Sequence, residues 1–193
     1  MQFDEATHFI SDLLQTQLPA ELYYHNYEHT FNVLQAVTEL AKEEHIINEH
    51  DLIILKTAAW FHDSGYINTY EHHEEESCRI SRKHLTAFDY NNEQIEKICS
   101  LIMKTKMPQQ PQIILEKILC DADLDYLGRN DFMQEGQKLL KEWIAVGKMK
   151  DESEWNEKQI KFLESHSYWT QSARQKRNRK KAEYLKQLKI SAF

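Results

Sequence analysis

The sequence predicts an all-α fold, and three observations predict it. Glycine and proline are scarce, four and three in 193 residues, whereas sheet-rich chains need frequent turn residues. Leu, Lys, Glu and Gln, all good helix formers, are abundant. Apolar residues recur every three or four positions along most of the chain, the period of a helix buried on one side.

Taken in order, Phe3, Ile10, Leu13, Leu14 and Leu18 predict a first helix ending near Leu18, with Pro19 as its stop. After Tyr23-Tyr24-His25-Asn26, a second helix begins near Tyr27 and carries Val33, Leu34, Val37, Leu40 and Ala41 on one side. Asn48 suits the N-cap of a third helix. Its run from Leu52 to Phe61 is apolar nearly all round, which predicts a central position. It closes at His62-Asp63-Ser64-Gly65, with Gly65 expected as a C-terminal cap. A fourth helix is expected from near His72 to about Ala87. A fifth runs from Asn92 to about Lys106, before Pro108, a sixth from Ile113 to Ala122 and a seventh from Phe132 to Val146. Two more cover Trp155 to Leu163 and Thr170 to Leu188. No repeat or linker interrupts the pattern, so residues 1–193 are read as a single domain.

The net charge of -7 argues against a surface that clings to nucleic acid. The basic run Arg174 to Lys181 lacks interleaved aromatics and is read as a solvated, salt-bridged helix face. Cys78, Cys99 and Cys120 are widely spaced in apolar stretches and are read as reduced, buried thiols. Met1 to Leu18 has neither a basic start nor a continuous apolar run, so no signal peptide is expected. No stretch is apolar enough to span a membrane. The expectation is a cytoplasmic protein without a membrane or nucleic-acid partner. Trp143, Trp155, Trp169 and Tyr168 are read as core or as contacts between subunits, which would allow a homodimer.

The chemistry gathers at helix ends. His29 falls in the first turn of the second helix, His62 and Asp63 close the third, and Asp123 follows the sixth in Asp121-Ala122-Asp123-Leu124-Asp125. A hydrophobic run that stops at His-Asp puts two polar groups beside the core, where they must be paired or bound to a metal. Two imidazoles and two carboxylates give mixed N/O ligation, suited to Mn, Fe, Co, Ni or Zn, with Mg allowed.

The segments Tyr27-Glu28-His29-Thr30, Trp60-Phe61-His62-Asp63-Ser64-Gly65-Tyr66 and Asp121 to Gly128 resemble the HD superfamily of metal-dependent phosphohydrolases. The resemblance covers about residues 23–130, and the helices over about 131–190 are expected to pack on that core. It implies an HD-type helical bundle and His29, His62, Asp63 and Asp123 as metal ligands, with Asp121 and Asp125 as rivals of Asp123. Some members of the family hold two metals through further histidines. His73-Glu74-Glu75-Glu76-Ser77 resembles the segment that supplies one of them, with His72 as the competing choice and His84 as a distant one. Where another histidine would stand, Ile102-Met103-Lys104-Thr105-Lys106 has a lysine, a poor ligand. One metal per chain is therefore preferred.

The implied reaction is hydrolysis of a phosphate ester or anhydride of a phosphorylated small molecule, with nucleotides among the candidates. Metal-activated water attacks phosphorus, and cations steady the charge that develops. Lys104, Lys106 and Arg129 are the candidate phosphate contacts. His73, Glu74 and Asp63 are candidates for handling the water's proton, which makes Asp63, His73, Glu74 and Lys104 the catalytic set. His8, His25, His45, His50 and His166 are read as structural or exposed. An HD-type di-iron oxygenase and a non-catalytic nucleotide- or metal-binding module are the alternatives.

Overall fold

The computed structural model describes residues 1–191 and is all-helical, with no strand among them. The helices are α1 (Phe3–Gln17), α2 (Tyr27–Glu43), α3 (Glu49–Phe61), α4 (His73–His84), α5 (Asn92–Met103), α6 (Ile114–Asp123), α7 (Phe132–Ala145), α8 (Trp155–Ser165) and α9 (Gln171–Ser191). Short 3-10 turns follow α3 (Ser64–Ile67), α4 (Leu85–Phe88) and α6 (Asp125–Gly128). Among the described residues no helix is long and apolar enough to cross a membrane.

Helix α3 is central, as its all-round apolarity predicts. Ile54, Leu55, Ala58 and Phe61 are fully buried, and α1, α2, α5 and α6 all pack against it. Such burial stabilises each large side chain by roughly 1.5–3 kcal/mol. Asn48 caps α3 by accepting from the Asp51 N–H at 3.1 Å. Helix α5 stops at Met103, three residues short of the expected end. There Lys104 and Thr105 turn the chain, their N–H groups bonding to Leu101 and Ile102 carbonyls.

Gly65 does not play the expected left-handed cap. It lies inside the 3-10 turn after α3, and α4 presses on it. A Cβ at this position would meet the His73 carbonyl oxygen at 1.9 Å and the Ser77 nitrogen at 2.8 Å. Its missing side chain lets α4 seat directly on the His-Asp turn.

The basic run of α9 is tied to the body of the protein. Arg177 pairs with Asp125 through two hydrogen bonds of 2.6 and 3.0 Å, and Lys176 pairs with Glu39 and Glu43. Beside the main core stands a separate small cluster of Leu140, Met149 and Trp155, with Leu139 and Trp143 packed on it. Cys78, Cys99 and Cys120 are free and buried.

Candidate metal centre

Three helix ends deliver four ligand atoms to one point. The Asn26 side chain caps α2 by accepting from the N–H groups of Glu28 and His29, at 2.9 and 3.2 Å. That fixes His29 in the first turn. His62 is the C-cap of α3, and its Nδ1 lies 2.8 Å from the Ala59 carbonyl. With Nδ1 donating, the neutral ring carries its lone pair on Nε2, which faces the site. The His-Asp turn is pinned to α4 by Ser77, whose hydroxyl donates to the His62 carbonyl at 2.6 Å and accepts from the Gly65 N–H at 2.8 Å.

His29 Nε2 lies 3.3 Å from both Asp63 Oδ2 and Asp123 Oδ1, and His62 Nε2 lies 3.2 and 3.6 Å from the same two oxygens. Potential ligand atoms of His29, His62 and Asp123 all fall within 4.8 Å of one another, the one such grouping of three or more among the described residues. Yet His29 Nε2, His62 Nε2 and Asp63 Oδ2 are buried and make no hydrogen bond of acceptable geometry. Buried polar atoms that converge without bonding to each other are costly on their own. A shared divalent cation resolves all of them at once, so the residues fit a metal.

The electrostatics agree. Burial pulls the His29 and His62 pKa values down, but the Asp63 and Asp123 carboxylates outweigh it and leave both raised. Burial pushes the other way on the acids, and the two imidazoles outweigh it. Asp63 ends well below the usual carboxylate range and Asp123 at about 2.

The three acids of the Asp121–Asp125 segment do separate jobs. Asp121 is fully buried and accepts from the Trp169 N–H, the Thr170 N–H and the Thr170 hydroxyl, at 2.8, 2.7 and 2.7 Å. Asp125 holds Arg177. Only Asp123 faces the two histidines.

Asp63 faces two ways. Its Oδ2 looks to His29 and His62, while Oδ1 lies 3.6 Å from His73 Nε2, which is also 3.6 Å from Glu74 Oε1. His73, not His72, reaches the centre. His72 adopts a left-handed backbone conformation ahead of α4 and its side chain is mostly exposed. Burial pushes the His73 pKa down against the pull of Asp63 and Glu74. His84 packs on Phe9, far from the ligands in the fold.

Asp63 and Asp123 open into a cavity of about 780 Å³. The expected phosphate contacts divide. Lys106 lines the cavity, beside Glu75 with which it pairs. Lys104 does not: it caps α5 and turns its ammonium to the Gln110 carbonyl at 3.2 Å, with Glu116 at 4.0 Å. Arg129 is also outside this cavity, paired with Asp131 and lining a separate small crevice together with His29 and Asp123.

His25, read as structural or exposed, is in the site. It lines the cavity, and its Nδ1 is bonded to Glu142 of α7. Fully buried Glu142 also accepts from the Tyr24 and His25 N–H groups at 2.8 and 2.9 Å and from the Tyr70 hydroxyl at 2.8 Å. Tyr66 lies between two imidazoles, stacked on His73 at 3.9 Å and on His25 at 4.6 Å between centroids. Two signals could have found this group. His25 stands one helical turn before His29, and Glu142 is an acid flanked by the apolar Leu139, Leu140 and Trp143. Trp143 and Trp155, read as core or subunit contacts, line the cavity too, as does Phe162.

A helical bundle whose helix ends present two histidines and two aspartates around one point has the form of an HD-type domain, with a cluster compatible with a metal. A family model described as HD domain matches residues 26–125, about half of the chain, and the chain belongs to that family. No curated protein and no solved structure matches it.

Proposed function

We propose that this chain is a metal-dependent phosphohydrolase that splits a phosphate ester or anhydride of a small molecule, using one divalent cation per chain. The observation that carries this reading is the convergence of His29, His62, Asp63 and Asp123, the two aspartates of which line a substrate-sized cavity. A cation held there would supply Lewis acidity, polarising a phosphoryl oxygen and making water acidic enough to ionise near neutral pH.

The chain's own groups do the rest. Asp63 Oδ1 and His73 stand together beside the ligands, and burial keeps His73 free to take a proton from the attacking water. As the new O–P bond forms, the bond to the leaving oxygen breaks, and that oxygen needs a proton. His25 is placed to give it. Its Nδ1 is engaged by Glu142, so Nε2 is the nitrogen left for the cavity. Lys106, Lys148, Lys158 and Lys161 line the cavity and are the lysines within it that could meet a phosphate.

The test is a screen of the purified protein, loaded in turn with Mn, Co, Ni, Fe(II), Zn or Mg, against nucleotides and simple phosphate esters. Phosphate or pyrophosphate release is expected with at least one metal, and His62→Ala should lose both the release and the bound metal. No release with any metal, together with unchanged metal content in His62→Ala, would overturn the reading. Oxygen consumption with two irons per chain would point to an oxygenase, and tight phosphate binding without turnover to a non-catalytic module.

A further inference from the structure

The cavity is much larger than a phosphate needs. At about 780 Å³ it falls within the range of pockets that enclose whole organic ligands, roughly 300–1,000 Å³. One end holds Asp63 and Asp123. The other is walled by Leu139 and Trp143 of α7 and by Trp155 and Phe162 of α8. All four lie beyond residues 26–125, so this wall belongs to the chain's C-terminal extension and not to the matched HD segment.

Three features say what the wall is for. First, residues of the main core and of the Leu140–Met149–Trp155 cluster line the same cavity, and Leu139 packs on both. An apolar group lodged there would add to the contact between the two. Second, Trp143 and Phe162 line the cavity and are only half-buried, so part of each ring is left uncovered. Uncovered aromatic surface in a concavity favours an apolar ligand. Third, the tyrosines and histidines of the lining all belong to the segments before α7, and on α7 and α8 the neutral hydrogen-bonding side chains of the lining other than the two indoles are Gln159 and Ser165. The wall offers aromatic faces for stacking and little to read the edge of a ring.

We infer that the α7–α8 wall is a subsite for a flat aromatic group carried on the leaving side of the substrate, held by stacking against Trp143, Trp155 and Phe162 and tolerant of the ring's identity. The inference rests on the phosphohydrolase reading for the other end of the molecule. With the phosphoryl group at Asp63 and Asp123, the leaving oxygen passes His25 and the organic group extends to the wall. The substrate class is then a phosphate ester or anhydride of an aromatic-bearing alcohol, not a small aliphatic phosphate.

The experiment is calorimetric titration of the Mn(II)-loaded protein with inorganic phosphate, methylphosphonate, phenylphosphonate and 1-naphthylphosphonate, and separately with 2-naphthol, which has no phosphoryl group. The subsite predicts about a hundredfold rise in affinity from methyl- to naphthylphosphonate, the order expected for burying a two-ring surface. In Trp143→Ala that ratio should fall about tenfold. Phe162→Ala, also half-buried, is the second variant should the first fail to fold. Equal affinities along the series would overturn the subsite while leaving the phosphohydrolase reading standing. Binding of 2-naphthol that Trp143→Ala weakens, with no binding of phosphate or any phosphonate, would retain the aromatic subsite and remove the phosphohydrolase reading. No binding of any probe would overturn both.

Discussion

The two ends of the cavity are built on different terms. At the metal end every important atom is polar, buried and held by a local device. The Asn26 cap sets His29, the Ala59 carbonyl sets His62, and Ser77 pins the His-Asp turn. At the α7–α8 end the important groups are rings, placed by packing between helices. The first arrangement needs particular residues at particular helix ends. The second needs only apolar bulk at helical spacing, which is also what an ordinary core needs.

The sharpest way to break that contrast lies within a single segment. Asp121 and Asp123 are two residues apart, and the structure gives them opposite tasks. Asp123→Asn should lose the metal and lower turnover by about a thousandfold, in line with removal of a charged ligand from a group that acts as a unit. Asp121→Ala should keep the full metal content and lose stability instead. It strips the acceptor from the Trp169 N–H and both Thr170 donors, at a cost of about 3 kcal/mol. Metal content by plasma emission and denaturant unfolding in EDTA check the pair. If Asp121→Ala loses metal and Asp123→Asn keeps it, the assignment of the site fails.

This difference also explains what could be read in the sequence. Helix positions, the central place of α3 and the placing of His29, His62 and Asp63 at helix ends follow from local signals: caps, apolar period and helix ends. The choice of Asp123 over Asp121 could not be made, because both carboxylates sit on the last turn of α6 and only the arrival of the Trp169–Thr170 backbone claims Asp121. Lys104 was misplaced for a similar reason. Its position follows from the motif, but its direction follows from the Gln110 carbonyl in the next loop. His25 and Glu142 are 117 residues apart in sequence, and neither is conspicuous without the other. Trp143 and Trp155 show how an apolar period fails to distinguish a core from the wall of a cavity.

The two halves should also answer differently to acid. His29 and His62 have raised pKa values in the metal-free protein. Their contribution is present below the unfolded value near 6.5 and is lost as pH rises through their folded values. His166, near the start of the C-terminal helix, runs the other way. Burial, helped by Lys181, pushes its pKa down to about 4, and both ring nitrogens are buried without partners. The unfolded chain takes up a proton at His166 before the folded one does, so stability falls as pH drops from about 6.5 toward 4. His166→Phe should remove about 2 kcal/mol of that acid loss. Urea unfolding at pH 7 and pH 4.5 reads it. A variant that loses as much stability on acidification as the parent would place the acid sensitivity elsewhere.

The smallest expected effect probes the contact that ties the two ends together. Glu142 belongs to α7, on the aromatic side, yet it holds His25 on the catalytic side. Each of its oxygens serves two donors, and Gln at this position would turn an N–H toward one of those pairs. Glu142→Gln should therefore leave His25 poorly oriented, with turnover down about tenfold, little change in KM and unchanged metal content. His25→Gln should reproduce this, and the double variant should be no worse than either single one, because the two act as one unit. The leaving group supplies the decisive comparison. A proton donor matters when the departing oxygen is strongly basic and hardly at all when it departs as a stabilised phenolate. The tenfold loss should hold for an alkyl phosphate and shrink toward unity for p-nitrophenyl phosphate. An equal loss on both substrates would make Glu142 a packing residue whose removal merely loosens the wall, and would take His25 out of the proton-donor role.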